Sequence, residues 1–240
     1  MKIAVLQPGY LPWLGFFEQM YSTDVFVLYD DVQFTRRDWR NRNRVKGPNG
    51  LVWLTVPVRT TGQYYQLISE TMIADDQPWA TKHWNTLEMC YAKAPYFALY
   101  ADELRAFYDR SWSRLVDLDN QLIEWICDKL GLRRKIILSS QLGSKSTDPN
   151  LRFVEICEKL GADWLYEGEA GQSYFDLALF EKHNIKVEFQ HYEHPNYQQI
   201  WMKHGFIPHL SVIDLLFNHG PESLAILANE SVVSSTSQLQ

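Results

Sequence analysis

Short apolar runs alternate with longer helical patterns along this chain. Ile3-Ala4-Val5-Leu6 is apolar and stops at Gln7-Pro8, and Val25 to Tyr29 is a second run of β-formers, of the kind buried on both faces of a parallel sheet. Between them, Pro8 to Pro12 reads as a rigid loop whose second proline suits the first turn of a helix over Pro12 to Ser22. Arg42 to Lys46 and Leu51 to Val58 flank Gly47-Pro48-Asn49-Gly50, a strong hairpin signal. From Trp79 to Leu130 the spacing turns helical, with Asp75 and Asp76 as caps, Ala94-Pro95 as a break and Gly131 as a stop. Lys135 to Leu138, Trp164 to Tyr166 and Val187 to Tyr192 predict three more strands. Helices are predicted from Thr147 or Asp148 to Leu160, over Phe175 to Asn184, and at Leu210 to Phe217 and Glu222 to Ala228. The alternation predicts an α/β fold with a mostly parallel sheet and flanking helices. A β-hairpin is inserted at about 40–58 and a helical segment at about 77–131. One domain over 1–230 and a flexible tail at 231–240 are expected.

Composition narrows the class. With 46% hydrophobic and 22% charged residues among 240, the chain is an ordinary globular protein. Its 23 basic and 29 acidic side chains leave a net charge of −6, so any polyanion-binding surface must be a local patch. The first apolar run is too short for a signal-peptide core, and nowhere do about 18 apolar residues run together, so a cytoplasmic protein without a membrane span is expected. Cys90, Cys127 and Cys157 are odd in number with apolar neighbours, which predicts buried free thiols. Nine Trp and thirteen Tyr supply flat amphipathic surface of the kind that binds sugars, bases and acyl chains.

Candidate chemistry gathers at the ends of the predicted strands, where open α/β sheets bind their ligands. Gln7 to Phe17 leads from strand to helix, and Gln7, Tyr10 and Trp13 are candidate substrate contacts; the bland alternative buries the aromatics in the core. Asp30 and Asp31, followed by Gln33, suit either Mg²⁺ held with ATP or a base that deprotonates an amine, although Asp also serves turns and caps. Arg36 to Lys46 carries six positive groups against one negative. Alternation puts Arg40, Arg42 and Arg44 on one strand face, with Asn41 and Asn43, candidate substrate contacts like Gln33, on the other; with Lys46 these arginines suit a pyrophosphate, and the bland reading is a solvated face. Trp39 in that strip would stack on a nucleic-acid base, but one strip is a small footprint. His191-x-x-His194 sits in a strand entering a proline turn, where residues three apart face opposite ways, so no metal is expected and His194 is a candidate acid or base. The loop Glu167 to Tyr174 lies at the same sheet edge. Its two acids suit an amine rather than a phosphate, and Tyr174 is a further candidate contact. Phosphate-loop, serine-hydrolase and redox-dithiol motifs are absent from the sequence.

Gln7 to Phe17, Asp24 to Phe34, Asn41-Arg-Asn-Arg44, Trp53 to Val58, His194-Pro195 with Tyr197, and Leu210 to Asn218 together resemble the WbqC-like family across nearly the whole chain. The resemblance implies a role in surface-polysaccharide synthesis and the decoration of an amino sugar, and adds Tyr197 and Asn218 to the candidate substrate contacts. A weaker likeness links the opening to nucleotidylyltransferase-like folds, but Trp13-Leu14-Gly15-Phe16 stands where their His-x-Gly-His would be. The leading expectation is an amide-forming transferase or ligase acting on a nucleotide-linked amino sugar. The donor is left open among a coenzyme A thioester, an ATP-activated amino acid and aminoacyl-tRNA. Asp30, Asp31 or His194 would take the amine proton. The rival is a non-catalytic protein that presents a nucleotide sugar or binds a partner enzyme.

Overall fold

A computed structural model of the chain describes residues 1–74 and 76–230. The expected tail and Asp75 lie outside the described residues. Five strands, β1 (Lys2–Leu6), β2 (Val25–Leu28), β5 (Lys135–Leu138), β6 (Trp164–Glu167) and β7 (Lys186–Phe189), form a sheet of order β5-β2-β1-β6-β7, with all four pairings parallel. A separate antiparallel sheet is the hairpin of β3 (Arg42–Gly47) and β4 (Gly50–Thr55). Its turn centres on Pro48-Asn49 rather than Asn49-Gly50. Proline holds φ near −65°, so the first turn position cannot be left-handed, and Gly50 takes the positive φ of 100° instead.

The strand period of two sorts side chains between two cores. Ala4, Phe26 and Leu28 face α1 (Leu14–Tyr21) and the helical segment, made of α2 (Trp79–Tyr91), α3 (Phe97–Tyr108) and α4 (Leu115–Leu130). Ile3, Val5, Val25 and Val27 face α6 (Pro149–Leu160) and α7 (Leu177–Lys182). Both faces of the sheet are thus covered, which is why β2 reads as an unbroken apolar run. Asp148 caps α6, its carboxylate accepting from the Leu151 N–H, with Pro149 in the first turn as the sequence predicts. Among the described residues no side chain caps α2, whose first residue follows Pro78.

One buried polar network joins the hairpin to the C-terminal part of the chain, which contains α8 (Val212–His219) and α9 (Ser223–Leu227). Asp214 on α8 is fully buried and accepts hydrogen bonds from the Tyr91 hydroxyl at 2.7 Å, the Tyr197 hydroxyl at 2.9 Å and Gln199 Nε2 at 2.9 Å. Burial pushes its carboxyl up to about 6. Tyr91 in turn accepts from the backbone N–H of Lys46, whose ammonium donates to Gln199 Oε1 and the Gly205 carbonyl. Asp214→Ala leaves three buried donors without their acceptor and should lower unfolding free energy by about 3–5 kcal/mol, read as a fall in the urea midpoint at constant m.

Candidate functional site

The strand order reverses at β1. The chain moves from β1 to β2 and β5 on one side, then returns to place β6 on the other, so the crevice between the carboxyl ends of β1 and β6 is the switch point of the sheet. A cavity of about 650 Å³ opens there. Its floor is the end of β1, with Val5, Leu6 and Gln7. Tyr29 and Phe153, from the core on one face of the sheet, line it with Glu167 and Tyr174; Trp13 and Phe16, from the core on the other face, line it with Trp39, Arg40, Asn43, Arg44 and His209.

Tight backbone contacts hold the cationic wall to the floor. The Tyr10 N–H donates to the Arg40 carbonyl at 3.1 Å, and Arg40 Nη1 donates to the Gln7 carbonyl at 3.1 Å. A Cβ on Gly9 would stand 2.7 Å from the Trp39 carbonyl oxygen, so that approach requires glycine. Likewise a Cβ on Gly15 would strike the Trp13 indole at 2.3 Å, and its absence lets that ring lie on α1. Two residues here adopt left-handed conformations that disfavour a side chain. Leu11 has φ 46°, and its carbonyl accepts from Asn43 Nδ2 at 2.7 Å. His209 has φ 56° and is held at both ends, its N–H donating to His194 Nε2 at 3.1 Å and its carbonyl accepting from Arg44 Nη2 at 3.1 Å.

Of the predicted contacts, Gln7, Trp13, Asn43, Tyr174, Arg40 and Arg44 line this cavity together. Arg40 precedes β3 rather than lying on it, so the expected row of three is a pair, Arg42 and Arg44, with Arg40 arriving from the loop. Arg42 lies outside the lining residues; its guanidinium sits 4.6 Å from the centre of the exposed Trp53 ring and donates to the Arg37 carbonyl. Lys46 is fully buried and bound to Gln199 and Gly205, so a phosphate does not reach it, and desolvation lowers its pKa. Asn41 is buried and donates to the Val56 carbonyl. Tyr10 is fully buried too, its hydroxyl shared between His83 Nδ1 at 2.9 Å and Tyr108 at 2.6 Å, because the helical segment closes over the loop. Tyr197 is spent on Asp214. Asn218 accepts from the Ile200 N–H and donates to the Asp214 carbonyl. Gln33 is exposed and donates to the Tyr64 carbonyl, away from the cavity.

The three expected proton acceptors are also engaged elsewhere. Asp30 is buried and accepts from the Ser139 hydroxyl, the Ser140 N–H and the Ser140 hydroxyl, at 2.8–3.1 Å, tying β2 to α5 (Ser139–Leu142). Asp31 accepts from Ser139 and pairs with Arg152 at 2.5 Å. Neither carboxylate offers a free pair of oxygens to Mg²⁺. Among the described residues there is no group of three His, Cys, Asp or Glu that could hold a metal ion. His194 uses both nitrogens, Nδ1 donating to the Pro195 carbonyl and Nε2 accepting from His209, and burial lowers its pKa, so it is a neutral brace for the cavity rim.

The acidic group that does line the cavity is Glu167. It is 7% exposed, and burial raises its carboxyl to about 8, with only the Gly168 N–H acting against the shift. Its Oε2, like Nε of Arg40 and of Arg44, is buried without a hydrogen-bond partner. No ion pair links it to either arginine among the described residues. The acidic loop signals this residue, and placing it at the switch point requires the order of β1 and β6, which only the folded topology supplies. Behind Arg40, the fully buried Asp119 of α4 has both oxygens unpartnered, and its carboxyl is held well above the usual range by desolvation.

The family model for the WbqC-like proteins matches residues 7–226. The chain belongs to this family. Its cavity lies wholly within the matched span apart from Val5 and Leu6. This WbqC-like chain is 38% identical over 226 residues to the uncharacterized protein Rv1507c of Mycobacterium tuberculosis, an alignment covering 92% of this chain and 95% of that one. No solved structure matches it. Among the described residues, no helix is long and apolar enough to cross a membrane.

The raised Glu167 carboxyl has a direct thermodynamic signature. Between pH 4.5 and about 8 the folded state keeps a proton that the unfolded chain has lost, so this group costs stability progressively as pH rises through that window. Glu167→Gln removes the cost. The melting temperature of the variant relative to the parent should therefore climb from pH 4.5 to 8 and level off above, as followed by scanning calorimetry.

Proposed function

We propose that the cavity binds a nucleotide-linked amino sugar and that the protein joins an acyl or aminoacyl group to its amine, forming an amide in surface-polysaccharide synthesis. The observation that carries this reading is the cationic wall: Arg40 and Arg44 both line the one cavity. A guanidinium offers a planar fork of donors, which suits the oxygens of a diphosphate. Trp13 and Tyr174 present ring surface to the same space, as sugar binding requires. A volume of about 650 Å³ is in the range of pockets that enclose small ligands. The donor is an activated acyl group, as a coenzyme A thioester, an ATP-activated amino acid or aminoacyl-tRNA. Three buried free thiols support a cytoplasmic setting, where such donors are made.

Catalysis fits better than passive presentation, because an ionisable group with a strongly shifted pKa inside a binding cavity is a common mark of chemistry. A melting-temperature panel of uridine- and thymidine-diphosphate amino sugars, ATP and coenzyme A thioesters, with and without Mg²⁺, tests the reading directly. A shift from the nucleotide sugars supports it, and no shift from any of them overturns it. Arg44→Gln should weaken nucleotide-sugar binding about tenfold or more, since a charged hydrogen-bond donor is lost. Arg42→Gln, on the exposed face with Trp53, should leave the Kd within about twofold.

A further inference from the structure

We infer that Glu167 holds the ammonium group of the substrate and takes its proton. This rests on the nucleotide-sugar reading above and adds the atom at which the amine is prepared.

Position comes first. Glu167 ends β6 beside β1 at the switch point, lines the cavity and is almost wholly shielded from solvent. Its stem is fixed from below: a Cβ on Gly171 would come within 2.7 Å of Glu167 Cγ and 3.0 Å of the Phe189 ring, so the turn over Glu169–Ser173 packs straight onto it. Its Oε2 has no partner in the protein. The groups around it are the phenols of Tyr29, just past the end of β2, and Tyr174 and the Gly168 N–H, with the Arg152 guanidinium 5.3 Å from the Tyr29 ring centre. Arg40, Arg44 and His209 line the same cavity without pairing with Glu167. A ligand whose diphosphate meets those arginines therefore presents its sugar toward a lone buried carboxyl.

A single charge is costly in such a place, so free Glu167 carries its own proton below about pH 8; an arriving ammonium is the counter-charge that lets this proton leave for solvent. Proton transfer then discharges both partners. One N–H bond breaks with its electron pair left on nitrogen, an O–H bond forms on Glu167, and a neutral amine faces a neutral carboxylic acid. Low polarity favours that uncharged pair, and the freed lone pair is what an acyl carbon needs. The raised carboxyl pKa matches an amine that titrates near neutrality.

Isothermal titration calorimetry at pH 7.5, in two buffers of different ionisation enthalpy, tests this with paired uridine diphosphate sugars that differ only in a ring amine or hydroxyl. The parent protein should bind the amine about tenfold or more tightly and release a proton on doing so. Glu167→Gln, with folding checked by its melting temperature, should lose both the preference and the release while keeping its affinity for the hydroxyl sugar. Glu167→Asp should retain part of the release. Equal binding of the two sugars by the parent, or a Gln variant that keeps preference and release, overturns the inference and leaves the nucleotide-sugar reading standing. If neither sugar binds the parent, both fall.

Discussion

The cavity depends on a carboxylate that never touches it. Asp214 gathers donors from α2, from the Tyr197–Gln199 stretch and, through the Tyr91 hydroxyl, from the hairpin backbone at Lys46. The sheet by itself builds only the floor and the Glu167 wall. Arg44 and His209 reach the cavity because this network locks the hairpin against the segment leading into α8. A fully satisfied buried network of this kind defines one arrangement sharply, since every alternative leaves a polar group unpaired in a medium of low polarity. The buried polar residues of the C-terminal segment thus hold one side of the cavity in place.

Much of the fold was legible in the chain. β2 and β5 follow from apolar runs with clear ends, Asp148-Pro149 starts α6, and Gly131 ends α4 in the left-handed conformation that glycine allows. The site was legible only in part, for a definite physical reason. Strand alternation puts Arg42 and Arg44 on one face correctly, but period alone does not tell which of them faces a cavity and which faces water. Asp30 and Asp31 sit at the right sheet edge, yet Ser139 and Ser140, over a hundred residues away, arrive to consume their oxygens. Tyr10 is a similar case, since His83 and Tyr108 come from helices whose docking no local pattern encodes. Partners distant in sequence decide whether a polar side chain is structural or free.

The two walls differ in kind. Guanidinium groups are not deprotonated in proteins, so a side that carries two of them supplies a fixed attraction for anions. Glu167 changes charge near neutrality, so its side responds to what is bound. A fixed half and a responsive half within one cavity suit a ligand that carries a permanent anion at one end and a titratable amine at the other.

Strand order also has a consequence in time. β1 lies in the middle of the sheet, and its second neighbour, β6, is made only after roughly 140 further residues beyond β2. At about 5–20 residues per second, one edge of β1 stays open during synthesis for about 7–30 s, while the hairpin and helical segment emerge. Those intervening elements are rich in apolar surface of their own, so the nascent chain has material with which to shelter that edge until Trp164–Glu167 closes it. The crevice at the switch point, formed by the same closure, is among the last features of the molecule to exist.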